Sequence, residues 1–311
     1  MLEPDNQKDL IRSENWDYLI ILDGCRFDFF ESIHGEFLKG NLRRVSSAGT
    51  DTPDWFRNLF GVDKSTYGDV VYLSANPFIN SYRGLGGKPR IQSQIGLRSS
   101  SAESKRKRGR IYPRKIFHKV IDVWDYRWDE NIRTVAPEAV TEEAFKITTE
   151  YSDKRFIIHY LQPHYPYLCF YDRSAEISKE ESPSSDSLKK AFERVWNFFP
   201  RRDSLWEFLK KVVGSEVLWK VRSFFGVPPF YPREVALRKS IDVLAKAYAC
   251  NLRRVLVECE KLAKKLSGNL IVTSDHGELL GENGEWGHLV GLHLEEKEAN
   301  PALLEVPWLK I

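Results

Sequence analysis

Apolar residues follow two patterns along this chain: short unbroken runs, and longer segments in which they recur every third or fourth position. An unbroken run predicts a strand covered on both faces, as in a parallel sheet. Recurrence at helical spacing across 234–266 predicts one long amphipathic helix. The predicted buried strands are Tyr18–Leu22, Asp69–Leu73, Arg155–Leu161 and Leu270–Val272.

Weaker signals fill in the elements between these strands. Pro53 suits the first turn of a helix over 54–60, which places Thr52 at the N-cap of that helix. Strands that alternate with helices indicate parallel pairing, so we expect a three-layer α/β/α domain with a mainly parallel central sheet. Further predicted elements are helices over 27–37 and 141–151 and strands over 120–124 and 303–311.

Two segments depart from this alternation, although we expect 1–311 to form a single domain. Residues 81–116 are rich in Gly, Ser, Arg and Lys and have the composition of a mobile basic loop. Residues 175–233 read as an inserted helical cap that packs on the main domain. Aromatic and basic residues interleave within 195–231, so peripheral contact with a membrane surface is the alternative interpretation.

Composition limits the classes of partner and compartment. The net charge of +3 over 311 residues indicates no nucleic-acid partner, and the four cysteines show no metal-binding spacing. Residues 1–18 do not resemble a signal peptide, and no apolar run is long enough to span a membrane. We therefore expect a cytoplasmic protein, with peripheral attachment at the inner membrane face as an alternative. The oligomeric state stays open.

Metal-type side chains follow the predicted strands at their carboxyl ends, where sites form in open α/β sheets. Asp23 ends the first strand, His164 follows the third, and Asp275 with His276 ends the fourth. His288 lies on the loop that follows. Carboxylates and imidazoles that converge on one point can hold a divalent metal, although an isolated Asp-His pair is more often a surface feature.

Five segments carry a family resemblance over nearly the whole chain: ILDGCRFD, SSAGTDTPDWF, HYLQPHYPY, TSDHGELLGE with WGH, and VPWL. With these motifs the chain resembles the sulfatase-like branch of the alkaline phosphatase superfamily. The resemblance implies that family's fold and one or two divalent metal ions (Mn, Zn, Mg or Ca). It implies one metal held by Asp23, Thr52, Asp275 and His276. It also implies that His164 and His288 bind a second metal or the anionic oxygens of the substrate.

The resemblance further implies an enzyme that hydrolyses or transfers phosphate esters, with phosphodiesters favoured over monoesters. Thr52 would be the nucleophile and would form a phospho-enzyme. His288 would protonate the leaving group, and His164 would stabilise the phosphoryl oxygens. Arg26 either contacts the phosphate or pairs with Asp28. The partner implied is an anionic ester substrate, for which a glycan or a lipid head group is an option.

Some positions depart from the family pattern. Sulfatases carry Cys or Ser within C/S-x-P-x-R, whereas residues 50–54 here read TDTPD. Because Pro53 directly follows Thr52, whereas the family's proline commonly lies two residues on, Thr50 stays an alternative nucleophile. A sulfatase or phosphonate hydrolase remains the competing enzyme, and a catalytically silent relative that binds an anionic glycan or lipid is the competing binding protein. We expect Asn76 to line the pocket and Glu278 to support His276 without binding metal.

Overall fold

A computed structural model describes residues 5–61, 67–85, 111–171, 214–224, 227–288 and 300–311. Its strands are β1 Asp5–Asn6, β2 Tyr18–Asp23, β3 Asn41–Ser46, β4 Tyr67–Ser74, β5 Phe117–Asp122, β6 Trp128–Asp129, β7 Thr134–Val135, β8 Arg155–Pro163, β9 Leu270–Ser274, β10 Leu279–Leu280, β11 Trp286–Gly287 and β12 Glu305–Lys310. Its α-helices are α1 Gln7–Ser13, α2 Phe27–Ile33, α3 Thr52–Phe60, α4 Val123–Tyr126, α5 Pro137–Glu150, α6 Ser215–Phe224, α7 Pro232–Arg238, α8 Ile241–Lys265 and α9 Pro301–Leu304.

The described residues contain an eight-stranded sheet of order β1-β3-β12-β9-β2-β8-β4-β5. Strand pairs on both sides of β2 are parallel, and β12 alone in this sheet runs antiparallel, between β3 and β9. Two short antiparallel ladders, β6-β7 and β10-β11, lie apart from the main sheet. The predicted mainly parallel sheet is thus confirmed.

Successive residues of β2 enter opposite cores, because neighbouring side chains on a strand point to opposite faces. Leu19 and Ile21 pack in a cluster with residues of α1 and α3. Ile20 and Leu22 pack in another cluster with residues of α2, α5 and α8. Helices therefore cover both faces of the sheet, which confirms the predicted three-layer α/β/α architecture.

The carboxyl ends of four neighbouring strands, β9, β2, β8 and β4, meet at one edge of the sheet. Leu22 pairs with Ser274 of β9 and Tyr160 of β8, and after a shift in register Asp23 pairs with Pro163. The residues that follow these strand ends, among them His164 and Asp275, are therefore brought close together.

Several element boundaries differ from the sequence-based prediction. The predicted helix over 234–266 is two helices, because Ser240 leaves helical geometry and its hydroxyl caps α8 by accepting from the amide of Val243. The N-cap of α3 is Asp51 instead of Thr52, since the Asp51 carboxylate accepts from the amide of Asp54. The predicted strand over 120–124 continues into α4, and the predicted closing strand begins with the short helix α9.

Most of the two departing segments lies outside the described residues. The basic loop predicted over 81–116 is described only at 81–85 and 111–116, and the cap predicted over 175–233 only at 214–224 and 227–233. Membrane contact through 195–231 falls mainly on the same undescribed part and stays a prediction. Among the helices that the structure describes, none combines the length and the apolar character needed to cross a bilayer.

Candidate active site

Thr52 opens helix α3 beneath the carboxyl edge of the sheet and is almost fully buried. Its hydroxyl donates to Asp275 Oδ2 at 2.7 Å. The amide of Asn76, just beyond β4, donates to Thr52 Oγ1 at 3.1 Å and to Asp23 Oδ2 at 2.6 Å. The predicted nucleophile and two predicted metal ligands thus share one hydrogen-bonded network, and Asn76 joins them.

Asp275 is held in place by backbone amides. The Gly24 amide donates to Asp275 Oδ1 at 3.0 Å, and the His276 amide donates to the same oxygen at 2.9 Å. Gly24 has φ of +66°, a left-handed conformation that favours glycine, and a Cβ there would lie 2.8 Å from Glu278 Oε2. The turn after β2 therefore requires glycine both for its conformation and for its approach to the site.

Asp23, Asp275 and His276 form the first cluster of possible metal ligands, with one ligand atom from each within 4.8 Å of the others. His276 Nε2 lies 3.6 Å from Asp23 Oδ1 and 3.5 Å from Asp275 Oδ2. His276 Nδ1 lies 2.7 Å from the Gly277 carbonyl, a contact in which Nδ1 carries the proton. Nε2 then presents a lone pair to the two carboxylates, as a metal-binding imidazole does.

His164, Glu278 and His288 form a second cluster beside the first. Glu278 Oε2 lies 3.9 Å from His164 Nε2, and Glu278 Oε1 lies 3.6 Å from His288 Nδ1. The His276 and His288 rings are 4.5 Å apart between centroids. Glu278 thus lies between the two histidines as a candidate ligand, whereas we expected it to support His276.

The electrostatics of both clusters suit a cation. Burial, and then the charges of Asp275 and Glu278, raise the pKa of Asp23 well above its usual range. Burial also raises the pKa of Glu278 and lowers that of His164 to about 4, which keeps this imidazole neutral. His276 Nε2 and both carboxylate oxygens of Glu278 are buried without a hydrogen-bond partner among the described residues. A divalent cation would satisfy these atoms and offset the crowded negative charge.

His159 is a buried site residue that the sequence reasoning missed. It lies within β8, where a histidine among apolar residues gives no signal beyond core packing. His159 Nδ1 is 2.8 Å from the Tyr72 hydroxyl, and Nε2 is 3.7 Å from Asp275 Oδ2. Burial lowers the pKa of His159 to about 4, so it stands behind Asp275 as a neutral group.

A single cavity brings most of the predicted residues to a common surface. The residues that line it are Asp23, Thr52, Asn76, Pro77, Phe78, Trp128, Arg133, Thr134, Leu161, His164, Tyr165, Pro166 and His288. Thr50 is also buried but does not line this cavity. Arg26 does not line it either: its guanidinium pairs with both carboxylate oxygens of Asp28 and with Glu282.

Side chains from distant elements fix the loops that carry the site. Asn251 of α8 donates to the carbonyls of Pro163, His164 and Pro166 and accepts from the amide of Leu168. Gln7 of α1 donates to Thr273 Oγ1 and accepts from the Trp55 indole of α3. These bonds tie the His164 loop to α8 and the Thr52 helix to β9.

No protein-family model matches the chain, and no curated protein matches it. Solved structures similar to it include the soluble domain of lipooligosaccharide phosphoethanolamine transferase A from Neisseria meningitidis (TM-score 0.47, 12% identity, 99% of this chain and 78% of that chain). Others are the periplasmic domain of phosphoethanolamine transferase EptC from Campylobacter jejuni (0.45, 14%, 94% and 78%) and phosphonate monoester hydrolase SpPMH from Silicibacter pomeroyi (0.42, 14%, 96% and 68%). Since each TM-score is below 0.5, these similarities do not assign an activity to this chain.

Proposed function

We propose that this chain is a metal-dependent enzyme that hydrolyses or transfers phosphate esters, phosphodiesters above monoesters, through a Thr52 phospho-enzyme. One observation carries the proposal. The Thr52 hydroxyl, at a helix start, donates to Asp275 at 2.7 Å and lies in a cavity lined also by Asp23, His164 and His288. A buried hydroxyl in contact with a carboxylate, beside metal-type ligands, has the parts of an activated nucleophile.

In the first step, formation of the phospho-enzyme, each residue of the site has a separate role. Asn76 orients the hydroxyl through its bond to Oγ1, and Asp275 Oδ2 is placed to take the hydroxyl proton. A bond forms between Oγ1 and phosphorus, the bond from phosphorus to the ester oxygen breaks, and His288 gives the leaving oxygen a proton. A water molecule or an acceptor alcohol then attacks phosphorus and gives its proton to His288. The bond from phosphorus to Oγ1 breaks, and Asp275 returns the proton to Oγ1.

The candidate metal ligands belong to the two clusters described above. Asp23, Asp275, His276 and the Thr52 hydroxyl would hold one cation. His164, Glu278 and His288 would hold a second, and His288 would act as the acid only while this second site is empty. Such a cation would lower the pKa of the hydroxyl and would offset charge on the transferring group. Arg26 does not line the cavity, so we propose for it a role in holding the loop through Asp28 and Glu282.

The proposal is tested by turnover of a matched series of chromogenic phosphodiester, phosphomonoester and sulfate esters. Mn²⁺, Zn²⁺, Mg²⁺ and Ca²⁺ are added singly to chelator-treated protein. We expect diester turnover that needs one of these metals, is lost in Thr52→Ala and is retained in part in Thr52→Ser. Thr50→Ala is the matched control, because Thr50 is a buried threonine two positions before Thr52 that does not line the cavity.

The other readings give different outcomes. Loss of turnover in Thr50→Ala but not in Thr52→Ala would make Thr50 the nucleophile. Turnover of the sulfate ester alone would make the chain a sulfatase. Stoichiometric metal binding without turnover of any ester would leave a binding protein for an anionic glycan or lipid. An anionic glycan or lipid head group is also the substrate class that we propose for the enzyme. The cytoplasmic location stays a prediction.

A further inference from the structure

A short hairpin forms one wall of the catalytic cavity and has no part in the chemistry proposed above. Its strands β6 and β7 pair antiparallel, with Trp128 opposite Val135 and Asp129 opposite Thr134. Trp128, Arg133 and Thr134 line the same cavity as Thr52. The hairpin therefore faces the position that a substrate bound to Thr52 would occupy.

Two hydrogen-bond donors of this hairpin are buried without an acceptor among the described residues. They are the indole Nε1–H of Trp128 and the hydroxyl of Thr134, whose residue is 1% exposed. An indole N–H can only donate, and a buried donor left without an acceptor is costly. Both residues line the cavity, so a bound group with more than one acceptor oxygen is a candidate partner for the two donors.

Arg133 adds a positive charge to the same wall of the cavity. Its backbone has φ of +57°, a conformation that non-glycine residues seldom adopt and that is found mostly where the surrounding structure imposes it. Its guanidinium carbon lies 4.2 Å from the centroid of the Phe230 ring, which orients the group. A guanidinium held in this way is suited to paired hydrogen bonds with a carboxylate or a phosphate.

We propose that this hairpin binds a second anionic group of the substrate, a phosphate or a carboxylate carried by one of the two ester alcohols. The inference rests on the proposed function and narrows its substrate class to diesters of an anionic alcohol. Thr134 and Trp128 donate to oxygens of that group, and Arg133 pairs with its charge. Diesters of neutral or cationic alcohols lack this pairing.

The test uses symmetric diesters, so that either ester position can face the hairpin. The probes are bis(4-carboxyphenyl) phosphate, bis(4-phosphonooxyphenyl) phosphate and bis(4-carbamoylphenyl) phosphate, whose carbamoyl groups match the carboxylate in shape but carry no charge. Arg133→Gln should lower the ratio of kcat/KM for an anionic ester over the carbamoyl ester by about tenfold or more. Thr134→Val should lower the same ratio by a smaller factor. The anionic ester with the larger loss identifies carboxylate or phosphate as the group bound.

Arg127→Gln is the control of equal charge, because Arg127 precedes the hairpin and pairs with Glu142 and Glu143 instead of lining the cavity. It should leave the ratio unchanged. An equal loss on all three esters in Arg133→Gln would overturn the proposal, since Arg133 would then support the fold of the cavity alone.

Failure of the proposed function gives a different result from failure of this subsite. If no diester is turned over with any metal, binding of the same esters to Thr52→Ala is measured by calorimetry. Tighter binding of the carboxylate ester than of the carbamoyl ester, lost when Arg133→Gln is added, supports the subsite on its own. Equal affinities for the two esters overturn it.

Discussion

At the scale of single residues, Asn76 does the most to align the nucleophile, because one amide nitrogen contacts both Thr52 Oγ1 and Asp23 Oδ2. Asn76→Ala removes both bonds and leaves the Thr52 hydroxyl held by Asp275 alone. Hydrogen bonds to charged groups are worth about 1.5–3 kcal/mol, so we expect kcat to fall by about tenfold or more. KM should change little, since the lost bonds do not involve the substrate. Steady-state kinetics on the diester probe separates the two constants.

The control for Asn76→Ala is Asn58→Ala, on the exposed side of the same helix as Thr52. Asn58 donates to the Ala48 carbonyl and has no contact with the site. Its loss should leave both kinetic constants close to those of the parent. An increase in KM with unchanged kcat in Asn76→Ala would mean that Asn76 holds the substrate instead of the nucleophile.

Tyr72 and His159 form a buried pair behind Asp275, joined by a 2.8 Å hydrogen bond. Tyr72→Phe leaves the ring of Tyr72 in place and removes the partner of His159 Nδ1. A buried polar atom left without its partner costs about 1–3 kcal/mol, so urea unfolding should show a loss of that size. Metal affinity should fall as well, because groups that support ligands commonly change affinity by about 10–100-fold. Metal affinity equal to that of the parent would show that the pair serves only the core.

Local sequence pattern predicts a site residue where that residue follows a strand, whereas Thr52 and His288 were predicted from the family resemblance. Asp23, His164 and Asp275 end apolar runs, and the structure brings them together. His159 lies inside a run and looks like any core residue. Glu278 lies in a loop, and its place between His164 and His288 depends on how three separate strand ends meet. No local pattern marks His159, and the motif that contains Glu278 does not indicate its position between the two histidines.

At the scale of elements, the loop after β8 depends on one side chain of α8. Asn251 makes four hydrogen bonds to this loop, three of them to carbonyls that flank His164. Asn251→Ala leaves the buried amide of Leu168 without an acceptor, which costs about 1–3 kcal/mol. We expect that loss in urea unfolding together with a lower kcat, because the loop then no longer holds His164 in place.

Arg253→Ala tests whether that effect belongs to the loop or to the helix in general. Arg253 lies two positions further along α8, where it pairs with Glu36 on the surface. A surface ion pair contributes little, so this variant should match the parent in both stability and kcat. If Asn251→Ala lost stability but kept its kcat, the placement of His164 would not depend on α8.

Helices and strands could be predicted from sequence where burial alone determines the pattern of apolar residues. The strands around β2 are apolar at nearly every position, and only a central parallel sheet buries such runs. The break between α7 and α8 was missed because apolar spacing continues across it, while the Ser240 cap acts through one local hydrogen bond. The start of α3 was misplaced by one residue, since Asp51 and Thr52 are both good caps by residue type.

At the scale of the whole molecule, the fold converges three carboxylates on one edge of the sheet. Asp23, Asp275 and Glu278 are each at most 2% exposed, and the hydrophobic packing that buries them works against their mutual repulsion. A cation bound there would stabilise the folded chain against unfolding, because the site that binds it exists only in the folded chain. We therefore expect metal binding to be visible in unfolding experiments even without a substrate.

Chelator-treated protein should gain stability on addition of a metal that supports turnover. A ligand at about one hundred times its dissociation constant adds about 2.7 kcal/mol to the free energy of unfolding. Asp23→Asn keeps an acceptor for the Asn76 amide but removes one charge next to Asp275. It should leave the metal-free protein as stable as the parent or more so, while the gain from metal falls. Asp69→Asn, which alters only the surface pair with Arg155, should keep the full gain. A parent protein with no metal-dependent gain would mean that the three buried carboxylates hold no cation, and Thr52 would then lack the activation on which the proposed reaction depends.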